Sequence, residues 1–498
     1  MNKFNEKIIK KCARNCLLCH NASCDSACPY KLQPSKFLRS IYFDNWINAG
    51  NFIDQKLCNK CNGQCEKNCI NNKPNQIHLW ELIKNYKSTN INTKSVDLSI
   101  NFLNKKCENP FFLASSAVVT NYEMCKKALT MGWAGIVFKT ICFTKCNETS
   151  PRFTVSKKDG SFISLQNLEQ LSENTVEQNL KIISKLKKEF PNKIIVASIM
   201  GQNEKEWTQL AKLVSSAGCD FIECNFSCPQ MTVANMGHSI SANIPLAVKY
   251  TKATIKGTKL PVIIKLSPNI GRMENLATAV IKAGAKAISA INTISSISSI
   301  DLDSMHANPN VSGKSSISGL SGKAVKPIAL NFIASLSQCK ALKNVDISGI
   351  GGIETWRDAA EFISLGCKNV QICTSVMLYG YRIIEDLISG LKIFMKLHNY
   401  KKIDDFVGKA IKNIVSPKKL DRSTICLPQF NWDKCIKCGR CYIACYDAGR
   451  QAIEMQGQTL KYNAKKCIGC HLCRLVCPVN AIGITKRFDK KLLKVKNC

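Results

Sequence analysis

The sequence predicts an α/β protein: a TIM (β/α)8 barrel flanked by an N-terminal α-helical domain and a C-terminal ferredoxin-like domain, both rich in cysteine. Three observations predict it. Short apolar runs alternate with amphipathic stretches over about 300 central residues, the rhythm of a parallel α/β barrel. A doubled cysteine run closes the chain, and a second cysteine block opens it; these two blocks hold most of the 29 cysteines. A chain of 498 residues has room for about two or three domains. The expected boundaries are 1–95, 96–415 and 416–498.

The first block begins with Cys16-x2-Cys19-x4-Cys24-x3-Cys28-Pro29 and closes with Cys58-x2-Cys61-x3-Cys65-x3-Cys69. Between them Phe37, Leu38, Ile41, Trp46 and Ile47 recur at helical spacing and read as packing between two cysteine loops. A further helix is expected over Ile77–Tyr86. The alternative for this block is a zinc-stapled helical domain. Cys12 has no assigned role.

In the middle, eight strands are expected at Phe111–Val119, Gly135–Lys139, Lys193–Met200, Phe221–Cys228, Pro261–Ser267, Ala287–Ile294, Val345–Ile350 and Val370–Ser375. Amphipathic helices such as Val176–Phe190, Glu204–Ala217 and Asn275–Ala283 separate them. Active sites on this fold lie at the C-terminal ends of strands. The second strand ends there in Lys139, the fourth in Asn225-Phe226-Ser227-Cys228-Pro229, and the sixth in Asn292-Thr293. The fifth carries Lys265, the seventh runs into Gly351-Gly352, and the eighth into Cys373-Thr374. A lysine inside an apolar strand is costly without an anionic partner. Glycines after the seventh strand suit the phosphate site many such barrels have.

At the C-terminus, Cys435-x2-Cys438-x2-Cys441-x3-Cys445 is followed by Cys467-x2-Cys470-x2-Cys473-x3-Cys477-Pro478. This spacing holds two [4Fe–4S] clusters, the fourth cysteine of each run serving the other cluster. Cys435, Cys438, Cys441 and Cys477 are expected on one cluster. Cys467, Cys470, Cys473 and Cys445 are expected on the other. Zinc sites or disulfides are the alternatives that the doubled spacing disfavours. Tyr446, not proline, follows Cys445, which leaves the ligand set intact.

The net charge of +35 suggests nucleic-acid binding at first sight. The positive residues are mostly lysine, scattered along the chain without a localised patch, so no nucleic-acid role is expected. A basic surface docking an acidic electron-transfer partner fits better. No membrane span or signal peptide is read. Cluster cysteines with many further thiols point to a reducing compartment, the cytosol by default.

The barrel motifs Ala114-Ser115-Ser116, Phe138-Lys139-Thr140, Asn225-Phe226-Ser227-Cys228-Pro229, Lys265-Leu266-Ser267-Pro268-Asn269, Ile291-Asn292-Thr293 and Ile350-Gly351-Gly352-Ile353 resemble the FMN domain of the dihydropyrimidine dehydrogenase family. They resemble class 1 dihydroorotate dehydrogenases less closely. Leu165–Ser172 resembles the family's substrate-site segment, and Ser318–Gly322 its flavin-side glycine loop. The N-terminal block resembles the helical double-cluster domain of the same enzymes and of the small subunit of glutamate synthase.

The resemblance implies that Cys228 is the general acid/base, and that Asn167, Asn225, Asn292 and Thr293 bind a pyrimidine base. It implies that Lys139 and Lys265 face the flavin. Ala114, Ser115, Gly319, Gly322, Gly351, Gly352, Cys373 and Thr374 would then hold FMN. Cys16, Cys19, Cys24 and Cys69 would hold one N-terminal cluster; Cys28, Cys61 and Cys65 would hold three corners of another. Glu81 is the expected fourth ligand, with Cys58 as the alternative. The polar segment Gln230–Ser239 is expected as a lid. No Gly-x-Gly-x-x-Gly follows a strand, and the family's nicotinamide and FAD domains have no room here. A separate NAD(P)H-oxidising flavoprotein or a ferredoxin is therefore the expected electron donor. Homo-oligomerisation is implied by the resemblance alone. Dihydroorotate dehydrogenase and a non-catalytic electron-transfer adaptor are the alternative readings.

Overall fold

The apolar runs of the middle segment pair as the eight strands of a closed parallel barrel. The structure is a computed structural model and describes residues 9–10, 12–71, 78–86, 89–145, 147–158, 160–229 and 236–495. In chain order the strands are β1 (Phe111–Leu113), β2 (Gly135–Ile141), β3 (Ile194–Ile199), β4 (Phe221–Asn225), β5 (Val262–Lys265), β6 (Ala287–Ala290), β7 (Asp346–Ile350) and β8 (Asn369–Ile372). Each pairs with its sequence neighbours, and β8 closes on β1 through Ile372 and Leu113. Both faces of these strands are covered, which is why they read as unbroken apolar runs. Some of the intervening helices start at side-chain caps: Thr175 and Gln178 form a capping box before Val176–Glu189, and Asn203 caps Glu204–Ser216.

Several strands end earlier than the apolar pattern predicts. β1 stops at Leu113 and the chain turns into a 3-10 segment at Ala117–Val119. β4 stops at Asn225, short of Cys228, and β6 at Ala290. β8 stops at Ile372, and Thr374–Tyr379 is a helix. The overrun has one cause. Residues just beyond the ladder stay buried because they wall the barrel mouth, so burial outlasts pairing. At the other end, the hairpin Ile100–Phe102/Lys105–Cys107 closes the barrel, with Phe102 edge-on to Phe112 and Phe221.

The apolar pattern does not announce a four-stranded antiparallel sheet formed by Phe153–Lys158, Ser161–Asn167, Ser318–Ser321 and Ile294–Ser296. Its strands are excursions from the loops after β2 and β6. The Asp159-Gly160 pair between two alternating stretches was the available hairpin signal.

By compactness the chain divides into two units, 1–413 and 414–498. In the first, short helices carry the N-terminal cysteines around a core of Phe37, Leu38, Ile41, Leu79 and Ile83. The last of them is Leu79–Asn85; residue 77 of the expected helix lies outside the described residues. A buried ion pair, Arg39 Nε to Asp386 Oδ2 at 2.8 Å, joins helix Pro34–Tyr42 to helix Ile383–Leu397.

The second unit repeats itself. Helices Arg440–Ala448 and Leu472–Leu475 each follow a Cys-x2-Cys loop through a left-handed residue, Gly439 and His471. Three two-stranded ladders brace the pair. Among the described residues, no helix is long and apolar enough to cross a membrane.

Candidate active site and cluster cavities

The strand ends and the antiparallel sheet enclose one large cleft of about 1010 Å³, open mouth included. Cys228, Asn167, Asn225, Asn292 and Thr293 all line it. So do Ala114, Ser115, Lys139, Lys265, Gly322, Gly351, Gly352, Cys373 and Thr374. Gly319 is not among the lining residues. A Cβ there would stand 2.5 Å from Thr293 Oγ1 and 3.2 Å from Asn167 Nδ2, so the close packing of those two residues against it requires a glycine. Leu320, Ser321 and Gly322 line the cleft. Of the expected lid Gln230–Ser239, residues 230–235 lie outside the described residues, and His238 begins a short helix.

The amides of the cleft are held before any ligand arrives. Ser198 and Thr140 hydroxyls are 2.9 Å apart, and Asn225 Nδ2 donates to Thr140 Oγ1 at 3.0 Å. Asn225 Oδ1 accepts from the Ser227 hydroxyl at 3.0 Å, and Asn292 Nδ2 donates to that same hydroxyl at 2.9 Å. Asn167 Nδ2 donates to the Gly319 carbonyl at 3.1 Å across the antiparallel sheet. A fixed network of this kind sets which edge of each amide faces the cleft. Thr140 and Ser227 stand inside the quoted motifs but had no assigned role. Glu169 is another: it lines the cleft and pairs with Lys139 Nζ at 3.2 Å, both side chains nearly buried.

One region of the wall suits a flavin phosphate and another its ring. Gly322 (φ +84°) and Gly352 (φ +74°) line the cleft where no side chain can intervene. A Cβ on Gly352 would meet the Gly322 carbonyl oxygen at 2.8 Å and the Lys326 nitrogen at 2.9 Å. Gln371, on the cleft floor, donates to Ser348 Oγ at 2.9 Å, but its buried Oε1 has no partner, an acceptor suited to a ligand N–H. Burial pushes the Cys373 thiol up to about 11, so it stands in the wall as a neutral thiol. These features fit FMN. Gly352→Ala should leave the purified chain with about tenfold less flavin, since a left-handed alanine against that carbonyl is strained. The absorbance ratio of flavin to protein reads this directly.

The cysteines gather around three smaller cavities of similar size. Cys16, Cys19, Cys24 and Cys69 line one of about 370 Å³. Cys28, Cys58, Cys61 and Cys65 line one of about 330 Å³. Cys435, Cys438, Cys441 and Cys477 line one of about 350 Å³. The remaining set is also drawn together: Cys467, Cys441 and Cys445 act electrostatically on Cys473, whose thiol burial pushes up to about 11; Cys470 is exposed. Glu81 is exposed and is not on the wall of this cavity, whereas Cys58, the alternative, is. Burial pushes the Cys65 thiol up to about 12, and Cys61, Cys28 and Cys58 add to the rise. Four thiolates in such a cavity need a positive core, which an iron–sulfur cluster supplies. Arg382 braces the first cavity, donating to the carbonyls of Leu18 and Cys19.

A family model described as dihydroorotate dehydrogenase matches residues 97–395, and one described as a 4Fe-4S dicluster domain matches 429–484. The NAD-dependent dihydropyrimidine dehydrogenase subunit PreA of Escherichia coli K12 is 51% identical over 398 residues, 79% of this chain and 97% of the relative. The chain belongs to the dihydropyrimidine dehydrogenase family. Within that family it is also similar to the chloroplastic dihydropyrimidine dehydrogenase (NADP(+)) of Arabidopsis thaliana, 37% identical over 64% of this chain and 77% of the relative. The catalytic subunit of dihydroorotate dehydrogenase B from Pyrococcus abyssi is 32% identical over 63% of this chain and 99% of its own length.

Proposed function

We propose that the chain reduces the 5,6 double bond of uracil or thymine, as the catalytic subunit of an iron–sulfur flavoenzyme. The observation that carries this reading is the meeting of the Cys228 thiol with three amides, Asn167, Asn225 and Asn292, in one cleft. A pyrimidine dione is a neutral ring whose edge alternates C=O and N–H. Amides can serve both kinds of group, and their fixed network orients the ring without reorganisation.

FMN, when bound, supplies the hydride that reaches C6 of the ring. Cys228 supplies the proton taken by C5, and its thiolate is reprotonated from solvent. Hydride and proton together account for the two electrons and two hydrogens added. Lys265 and Lys139 would balance negative charge at the cofactor. Ala114, Ser115, Gly322, Gly351, Gly352, Cys373 and Thr374 would hold it, with the backbone of the glycines facing the phosphate.

In this reading the chain has three working parts, 1–95, 96–415 and 416–498, the outer two carrying [4Fe–4S] clusters. Electrons enter from a separate protein, a NAD(P)H-oxidising flavoprotein or a ferredoxin. The relative from Escherichia coli bears the name of a subunit, which supports a partner. Glu169 argues against orotate as substrate. It places a carboxylate on the cleft wall, so an anionic ring would meet a like charge there.

The test is anaerobic. The flavin is reduced chemically, and uracil, thymine or orotate is added separately. Rapid return of the oxidised flavin spectrum with uracil or thymine, and not with orotate, is the expected result. Reoxidation by orotate alone would move the chain to dihydroorotate chemistry, and no response to any would leave an electron-transfer adaptor.

A further inference from the structure

The resemblance supplies only three cysteines for the second N-terminal cluster and leaves its last corner to another kind of side chain. The cavity tells a different story. Its wall is Cys28, Cys58, Cys61 and Cys65, closed by apolar and aromatic groups including Leu32, Ile53 and Trp80. Among the described residues, no carboxylate or amide side chain is on that wall. Cys58 is 8% exposed and sits in helix Gln55–Asn59, which Asp54 caps by accepting from the Lys56 and Leu57 N–H groups at 2.8 and 3.1 Å.

The neighbouring helix explains why Glu81 cannot reach. Trp80 donates its backbone N–H to Glu66 Oε2 at 2.9 Å and its indole Nε1–H to the Cys58 carbonyl at 3.0 Å. Gly63 (φ +71°) lies against the Trp80 ring, where a Cβ would stand 3.2 Å away. Trp80 is thereby fixed as a wall of the cavity. One residue further along an α-helix is a rotation of about 100°, so Glu81 is turned out to solvent.

We propose that Cys58 is the fourth ligand of this cluster, so that Cys28, Cys58, Cys61 and Cys65 form an all-thiolate set. The assignment rests on the reading of the N-terminal block as a two-cluster domain. It has a redox consequence. A thiolate in place of a neutral amide adds one negative charge at the cluster, and net charge is a main control of potential. This cluster is therefore harder to reduce than one with a neutral fourth ligand. The Cys16, Cys19, Cys24 and Cys69 cavity differs in having the Arg382 cation on its loop.

The test uses the full chain, purified anaerobically, with iron and acid-labile sulfide counted and dithionite-reduced EPR spectra recorded. Cys58→Ala should lose about a quarter of the iron, or convert one cluster to a three-iron form with its own oxidised-state EPR signal. Cys58→Ser should keep more iron but change the spectrum and potential of one cluster. Glu81→Gln should match wild type in all three readouts. Flavin content serves as the control for folding, because the barrel does not use Cys58. Wild-type iron and spectra in Cys58→Ala, or loss of a cluster in Glu81→Gln, would overturn the assignment. A wild-type chain whose iron suffices only for the C-terminal clusters would overturn the two-cluster reading itself, and the assignment with it.

Discussion

In Cys228→Ala, turnover with uracil falls about 10²- to 10⁴-fold, the range for a positioned proton donor. The surroundings make this a clean substitution. The Cys228 carbonyl accepts from the His238 N–H at 2.9 Å, which does not depend on the sulfur. Ser227, one residue earlier, anchors Asn225 and Asn292 through its own hydroxyl. The amide network therefore survives, and flavin content, iron content and KM stay near wild type. Cys228 is 6% exposed, so bulk water has little access to replace the lost donor. Cys228→Ser should recover part of the rate with an optimum moved to higher pH, since a hydroxyl is a far weaker acid than a thiol of pKa about 8.5. Stopped-flow reoxidation of the reduced flavin by uracil measures this step. An alanine variant with undiminished reoxidation would place the proton donor elsewhere and revive the adaptor reading.

The largest expected loss of stability is in Arg39→Ala, about 3–5 kcal/mol, the cost of stranding a buried charge. The Arg39 and Asp386 side chains are 7% and 2% exposed. Burial raises the Asp386 carboxyl, with Arg39 and Ser40 pulling it back down; burial acts against the Arg39 cation too, but Asp386 and Glu385 outweigh it. Ser40 donates to Asp386 Oδ1 at 2.8 Å, and Asn45 Nδ2 reaches Ser389 on the same helix at 2.7 Å. Without Arg39, Asp386 keeps only a hydroxyl for a partner. The N-terminal helices should then loosen from the barrel, read as a lower urea midpoint and earlier proteolysis within residues 12–71. Arg39→Met with Asp386→Leu should regain most of the loss, because an apolar pair leaves no charge unpaired. Equal destabilisation in the double variant would show that packing, and not the ion pair, holds the two together.

Much of the barrel was legible because its chemistry is local. A strand covered on both faces must be apolar along its length, so eight such runs announce eight strands. Of the barrel residues expected at the site, Gly319 alone is off the cleft wall; a side chain there would collide with Thr293 and Asn167. Strand ends were misjudged where burial reappeared past the last hydrogen-bonded pair, as at Cys228 and Ser375. Glu169 and Gln371 were passed over because a single polar residue near a strand end has no signature until the opposite wall is known.

Sequence by itself determined the barrel, the two cysteine blocks and the grouping of the C-terminal ligands, because spacing along the chain sets which thiols one loop can present together. Tertiary structure decided what spacing leaves open. It placed Asn167 beside Gly319, 152 positions later, through strand pairing in a sheet that covers the barrel mouth. It set Arg39 against Asp386 across 347 positions, where burial turns an ordinary charge pair into a structural joint. It also put Cys58 on the cavity wall and Glu81 in solvent, because the helix that Trp80 pins to the cavity turns the next side chain away. In each case the deciding quantity is a direction in space, which the order of residues constrains only after the chain has packed.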